Sequence, residues 1–218
     1  MTKDQETFHL HSSKLINRII NWDFKHLTKS YKFGQKYTQW VRLFSFFGSF
    51  PAYLVVMCFF YFYGDHFNIS KYRYFSLMLF TAGVVMSLLI VSIPKYILKR
   101  KRPYMDERIE SYYKIKVINR DPEFGGQQQS FPSGHVYFWT FQAIIIGFHF
   151  NIWIAIPIYL TIPLMMFARM HLGCHFPSDV VIGAIFGVLS AIITIVFFYS
   201  FFYPSYLIVW SFLMGRFF

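Results

Sequence analysis

From Val180 to Phe202 the chain runs without one charged side chain, and no other feature limits its fold so tightly. The hydrocarbon core of a bilayer takes roughly 20 apolar residues of helix, because each backbone amide inside it must find its partner within the helix itself. Comparable apolar runs extend from Val41 to Tyr63, Phe75 to Leu98, His135 to Phe150 and Ile152 to Met170, and Ser205 to Phe218 is a shorter apolar tail. Trp40, Tyr61 and Tyr63 flank the first run, as amphipathic rings do at headgroup depth. With 56% of its 218 residues hydrophobic, 23% aromatic and only 14% charged, the chain is too apolar for a soluble domain. The expected fold is all-α, a polytopic membrane bundle of five to six transmembrane helices.

Residues 1–40 form a basic, polar segment without the apolar stretch of a signal peptide. Within it Leu15, Ile16, Ile19 and Ile20, with Trp22 nearby, suggest a short helix lying on the membrane surface; the alternative is a solvated leader. Residues 41–218 read as one membrane domain whose loop 99–134 carries the polar chemistry. Cys58 and Cys174 fall at different depths, so a disulfide between them is not expected.

Ionisable groups in or beside a span are costly unless they have a partner or a task. Here they are Lys95, Arg102, His135, Arg169, His171, His175 and Asp179. The second run ends near Lys95, the third begins at His135, the fourth ends near Arg169 and the fifth begins near Asp179. Alternation of direction therefore brings all four ends to one face. Lys95, Arg102 and Arg169 would make an anion pocket there, and the arginine fork suits phosphate oxygens. Ser133 and Gly134 open a helix, where unpaired N–H groups and the positive dipole end also attract phosphate. His175 could attack phosphorus with Asp179 holding its other ring nitrogen, and His135 could serve as general acid and base.

Three segments carry a resemblance. "KYILKRKRP" from Lys95 to Pro103 has the form K-x6-R-P, "PSGH" spans Pro132 to His135, and "ARMHLGCHFPSD" from Ala168 to Asp179 supplies R-x5-H-x3-D. In order and spacing the chain resembles the type 2 phosphatidic acid phosphatase superfamily. The resemblance implies a membrane lipid phosphatase acting on a phosphomonoester or diphosphate of a lipid, the candidates being lipid A 1-phosphate, phosphatidylglycerophosphate, undecaprenyl diphosphate and phosphatidic acid. It implies His175 as nucleophile, Asp179 as its orienting partner, His135 as general acid, and Lys95, Arg102, Ser133, Gly134 and Arg169 as phosphate ligands, with no metal or other cofactor. Ala168 stands where the family usually has serine, which removes one hydrogen bond to the phosphate. Many relatives also carry three spans before the first signature, against two here.

Other readings bear on the same residues. A phosphotransferase would use the same phosphohistidine, and a membrane transporter would also carry intramembrane His, Arg and Asp. His171, Cys174 and His175 have the side-chain types of a zinc site, though Arg169 beside them would repel a cation. Lys99, Arg100 and Lys101 read as the cationic collar of a span end. The loop from Tyr104 to Phe131, rich in both charge signs and carrying Gly125 and Gly126, is either a lid that chooses the headgroup or a solvated connector. The resemblance points to the inner membrane of a bacterium with the site facing the periplasm. The charge bias points the other way, since of 21 Lys and Arg residues only Lys71 and Arg73 lie in the loop on the opposite face. Lipid phosphate and the bilayer are the expected partners, and nucleic acid is not.

Overall fold

In the computed structural model the described residues are 14–67, 86–121 and 128–202, together with Tyr72, Ser76, Leu79 and Gly83. Every regular element among them is a helix. We number these α1 (Lys14–Lys32), α2 (Thr38–Phe46), α3 (Phe50–His66), α4 (Ile93–Leu98), α5 (Glu107–Tyr113), α6 (Gly134–His149), α7 (Ile152–His171) and α8 (Pro177–Phe197). The fold is an all-helical membrane bundle. Two helices, Ile152–His171 and Pro177–Phe201, are long and apolar enough to cross a membrane. The short apolar tail Ser205 to Phe218, most of the run before Ser87, Lys71, Arg73, Gly125 and Gly126 lie outside the described residues.

The run Val41 to Tyr63, expected as one span, is built from two helices. Gln35–Phe46 and Phe50–Gly64 together satisfy the length and composition of a span but are bent by 50° at the break. The cause is local. The N–H groups of Phe47, Gly48 and Ser49 bond three residues back, to Phe44, Ser45 and Phe46, which tightens the helix to a 3-10 turn and ends it. Ser49 Oγ then accepts the N–H of Ala52 at 3.3 Å, and Pro51 sits in the new first turn, where its missing N–H costs nothing. The bend leaves Ser45 buried and facing the polar end of the bundle.

Helices α6, α7 and α8 form the centre, with the most extensive contacts between α6 and its two partners. The α6–α8 approach depends on a missing side chain, because a Cβ on Gly183 would lie 2.7 Å from the backbone oxygen of Ser133. Small residues permit this closeness between apolar helices, where van der Waals packing takes over from the hydrophobic effect. Three apolar clusters stack along the bundle. Tyr53, Leu79, Phe141, Ile145 and Ala191 fill its depth. Val136, Met165 and Val180 lie just beneath the polar end. Phe24, Leu27, Tyr31, Ile109, Val117 and Phe176 cap it from above.

That uppermost cluster includes a face of the N-terminal helix. Helix α1 exists, but it packs on α7 and α8 through Phe24, Leu27 and Tyr31, all buried. Ile16, Ile19 and Trp22 stay exposed on the other side of the helix. Residues at i, i+3 and i+7 share one helical face, and it is this second face, offset from the Ile16/Ile19 stripe, that ties α1 to the rest of the molecule.

Gly183→Ala is expected to lower the thermal unfolding midpoint of the detergent-purified protein, since forcing a methyl against backbone costs about 1–3 kcal/mol. An unchanged midpoint would mean that α6 and α8 do not pack as described.

Candidate active site

The site forms where the ends of α4, α6, α7 and α8 meet. Helix α7 ends at His171, and Gly173, at φ +73°, reverses the chain into α8; a Cβ there would also lie 2.7 Å from the carbonyl of Ile118. The turn sets His175, 1% exposed, immediately ahead of α8. Its Nδ1 lies 2.6 Å from the carbonyl oxygen of Ser130. A carbonyl can only accept, so Nδ1 carries the proton and Nε2 keeps its lone pair. Burial, and then the charges of Arg102, Arg169, Lys95 and His135, hold the His175 pKa well below the ordinary histidine range. The ring is a neutral imidazole with a free nucleophilic nitrogen.

Asp179 stands one turn below, with Oδ2 at 3.9 Å from the same Nδ1. Its closer bonds go elsewhere. Oδ2 accepts the N–H of Phe176 at 2.8 Å, and Oδ1 accepts from Arg100 at 2.7 Å. The hydrogen bond expected of Asp179 to the histidine is thus made by the Ser130 carbonyl, and the carboxylate acts across a longer gap.

Arg169 has no exposed surface. Its Nη1 donates to Asp121 Oδ2 at 2.5 Å and to Ser45 Oγ at 2.7 Å, while its Nε and Nη2 have no protein hydrogen-bond partner. Arg102 is likewise buried, its Nε and Nη1 also without a protein partner. Burial lowers its pKa first, the nearby Arg169 adding to this, yet a guanidinium keeps its charge at any ordinary pH. Lys95 reaches the start of α6, since a Cβ on Gly134 would lie 3.8 Å from its Nζ. Ser133 precedes α6 without capping it. Its N–H is bonded to the Asp179 carbonyl at 3.1 Å, and its buried Oγ has no protein partner. Lys95, Arg102, Ser133, Gly134, His135, Arg169, His175 and Asp179, the residues singled out from the sequence, come together at this one end.

Three further residues belong here that the sequence reading passed over. Asp121 was read only as loop charge, yet it is 2% exposed and paired with Arg169. Ser45 lies in what read as plain span. Arg100, read as collar, bridges Asp23 of α1 and Asp179 of α8. The signal for Asp121 was faint, one of two acids, with Glu123, ahead of the glycine pair; for Ser45 and Arg100 no local pattern existed. Among the described residues no group of three His, Cys, Asp or Glu residues able to hold a metal occurs. His171 turns away, its ring nitrogens 3.0 Å from Thr38 Oγ1 and 3.1 Å from the Ser30 carbonyl.

The PAP2 superfamily model matches residues 71–203, and the chain belongs to that superfamily. It is a membrane phosphatase of the PAP2 type. Among solved structures it is similar to the crystal structure of Aquifex aeolicus LpxE, with a TM-score of 0.60 at 20% sequence identity, covering 79% of this chain and 94% of that one. That likeness is one of fold. No curated protein matches the chain.

Removing Asp121 strands a buried guanidinium, a change that costs about 3–5 kcal/mol. Asp121→Ala should therefore unfold at a markedly lower temperature, and added orthovanadate, an anion for the same guanidinium, should recover part of the loss. A variant as stable as the parent would remove Asp121 from the site.

Proposed function

We propose that this chain hydrolyses a phosphomonoester or diphosphate on a lipid headgroup through a phosphohistidine formed on His175. One observation carries the reading. Nε and Nη1 of Arg102, Nε and Nη2 of Arg169 and Oγ of Ser133 are buried donors without protein partners, around a neutral imidazole. A buried unmet donor costs about 1–3 kcal/mol, more when charged. Such a set is retained where a ligand completes it, and a phosphoryl group supplies several anionic oxygens in a small volume.

In the proposed reaction Nε2 of His175 attacks phosphorus, and the P–O bond to the lipid breaks. The departing oxygen takes a proton from His135. Water then attacks the phosphohistidine, giving its proton to His135, and the P–N bond breaks to release phosphate and restore His175. The Ser130 carbonyl, holding Nδ1–H at 2.6 Å, and the Asp179 carboxylate at 3.9 Å stabilise the positive charge the ring gains on attack. Lys95, Arg102 and Arg169 hold the equatorial oxygens, so catalysis rests on positioning and fixed charge. No step draws on a metal ion. The lipid candidates are lipid A 1-phosphate, phosphatidylglycerophosphate, undecaprenyl diphosphate and phosphatidic acid.

The test is release of free phosphate by detergent-solubilised protein from those four lipids side by side. His175→Ala should abolish release, and His135→Ala should lower turnover about 100- to 10,000-fold. Orthovanadate should inhibit, and EDTA should leave the rate unchanged. Phosphate appearing on an added acceptor alcohol, in place of free phosphate, would make the protein a transferase. Retained activity in His175→Ala would end the phosphohistidine reading.

A further inference from the structure

The N-terminal helix reaches the site through a single arginine. Arg100 Nη2 donates to Asp23 Oδ2 at 2.5 Å, and Nη1 donates to both Asp179 Oδ1 and Ser178 Oγ at 2.7 Å. The guanidinium also lies over the Phe176 ring, 4.2 Å from its centroid. Asp23, with no exposed surface, accepts the Ser178 N–H at 2.8 Å and the Ser178 hydroxyl at 2.7 Å. Three of the four residues that follow His175 are therefore held by this pair. The main chain of Arg100 holds the other side, because its carbonyl accepts the Ser130 N–H at 2.8 Å, and the Ser130 carbonyl accepts Nδ1–H of His175.

A surface collar residue has no such arrangement. Exposed ion pairs are worth little, whereas a planar fork between two buried carboxylates fixes geometry. The pairing also has an electrostatic effect. Asp179 lies close to His175 and faces a site built for an anion, and Arg100 neutralises it there. Asp23 lies outside the segment that matches the family model, residues 71–203, so the clamp joins α1 to a site built within that segment.

Resting on the reading of His175 as nucleophile, we propose that Arg100, held by Asp23 of α1, is a positioning residue that fixes the His175 ring and the Asp179 carboxylate for attack. Neither residue touches the phosphoryl group. Loss of the clamp would let the His175 segment shift, and a displacement of about 1 Å at a reacting group is worth about 100-fold in rate.

The experiment measures kcat and KM for phosphate release, together with thermal midpoints, in the full chain and in Arg100→Ala, Arg100→Lys, Asp23→Asn, the double variant Asp23→Asn/Arg100→Ala, and His175→Ala. We expect kcat of Arg100→Ala to fall about 100-fold with KM little changed. Arg100→Lys, able to reach only one carboxylate at a time, should fall between it and the parent. The double variant should regain thermal stability over Arg100→Ala, since no buried carboxylate is stranded at Asp23, without regaining kcat. A loss confined to KM, a kcat that recovers together with stability, or losses that multiply in the double variant would each overturn the proposal. If His175→Ala is inactive while Arg100→Ala matches the parent, the clamp fails and the phosphohistidine reading stands. If His175→Ala is active, the phosphohistidine reading itself has failed.

Discussion

A guanidinium with no exposed surface, that of Arg169, sets the terms for this end of the bundle. Removing an ion of that size from water costs several kcal/mol even after relaxation, and the chain offsets it locally with Asp121 and Ser45. Each compensating group lies on a different segment. Ser45 is available because the first apolar run breaks and bends by 50°, and Asp121 because the loop after α5 folds back over the end of α7, where the Arg120 N–H meets the Leu172 carbonyl. The bend and the loop's return are both consistent with one buried charge that must be paired.

The same logic extends outward in two layers. Innermost are cations with donor atoms left over, those of Arg102 and Arg169. Beyond them are carboxylates already committed, Asp121 to Arg169 and both Asp23 and Asp179 to Arg100. Committed carboxylates leave the field at the site positive, which favours an anion and disfavours a protonated His175. The His175 ring is kept neutral by its surroundings and oriented by a backbone carbonyl, so its tautomer does not depend on a side chain that itself titrates.

Helix α1 carries a second apolar face beside the stripe visible in the sequence. Of Leu15, Ile16, Ile19, Ile20 and Trp22, which suggest a helix on the membrane surface, Ile16, Ile19 and Trp22 are exposed and Ile20 packs against the upper cluster. Phe24, Leu27 and Tyr31, a separate face, bury themselves against Ile109, Val117 and Phe176. With two apolar faces, the helix covers the polar end of the bundle with one and leaves the other outward.

The helical membrane class was written in the sequence, because only a helix satisfies its own backbone across a run such as Val180 to Phe202. The polar cluster was legible too. Charges at span ends are rare and costly, and alternation of direction carries Lys95, His135, Arg169 and Asp179 to one face. Only the tertiary structure decided which acceptor holds His175, which acid pairs Arg169, and that Arg100 reaches Asp23. The physical reason is separation. The first set follows from periodicity and hydropathy along the chain, whereas Arg100 and Asp23 stand 77 positions apart and Arg169 and Asp121 stand 48 apart. Their pairing is fixed by how helices pack, and no local pattern of residues records that.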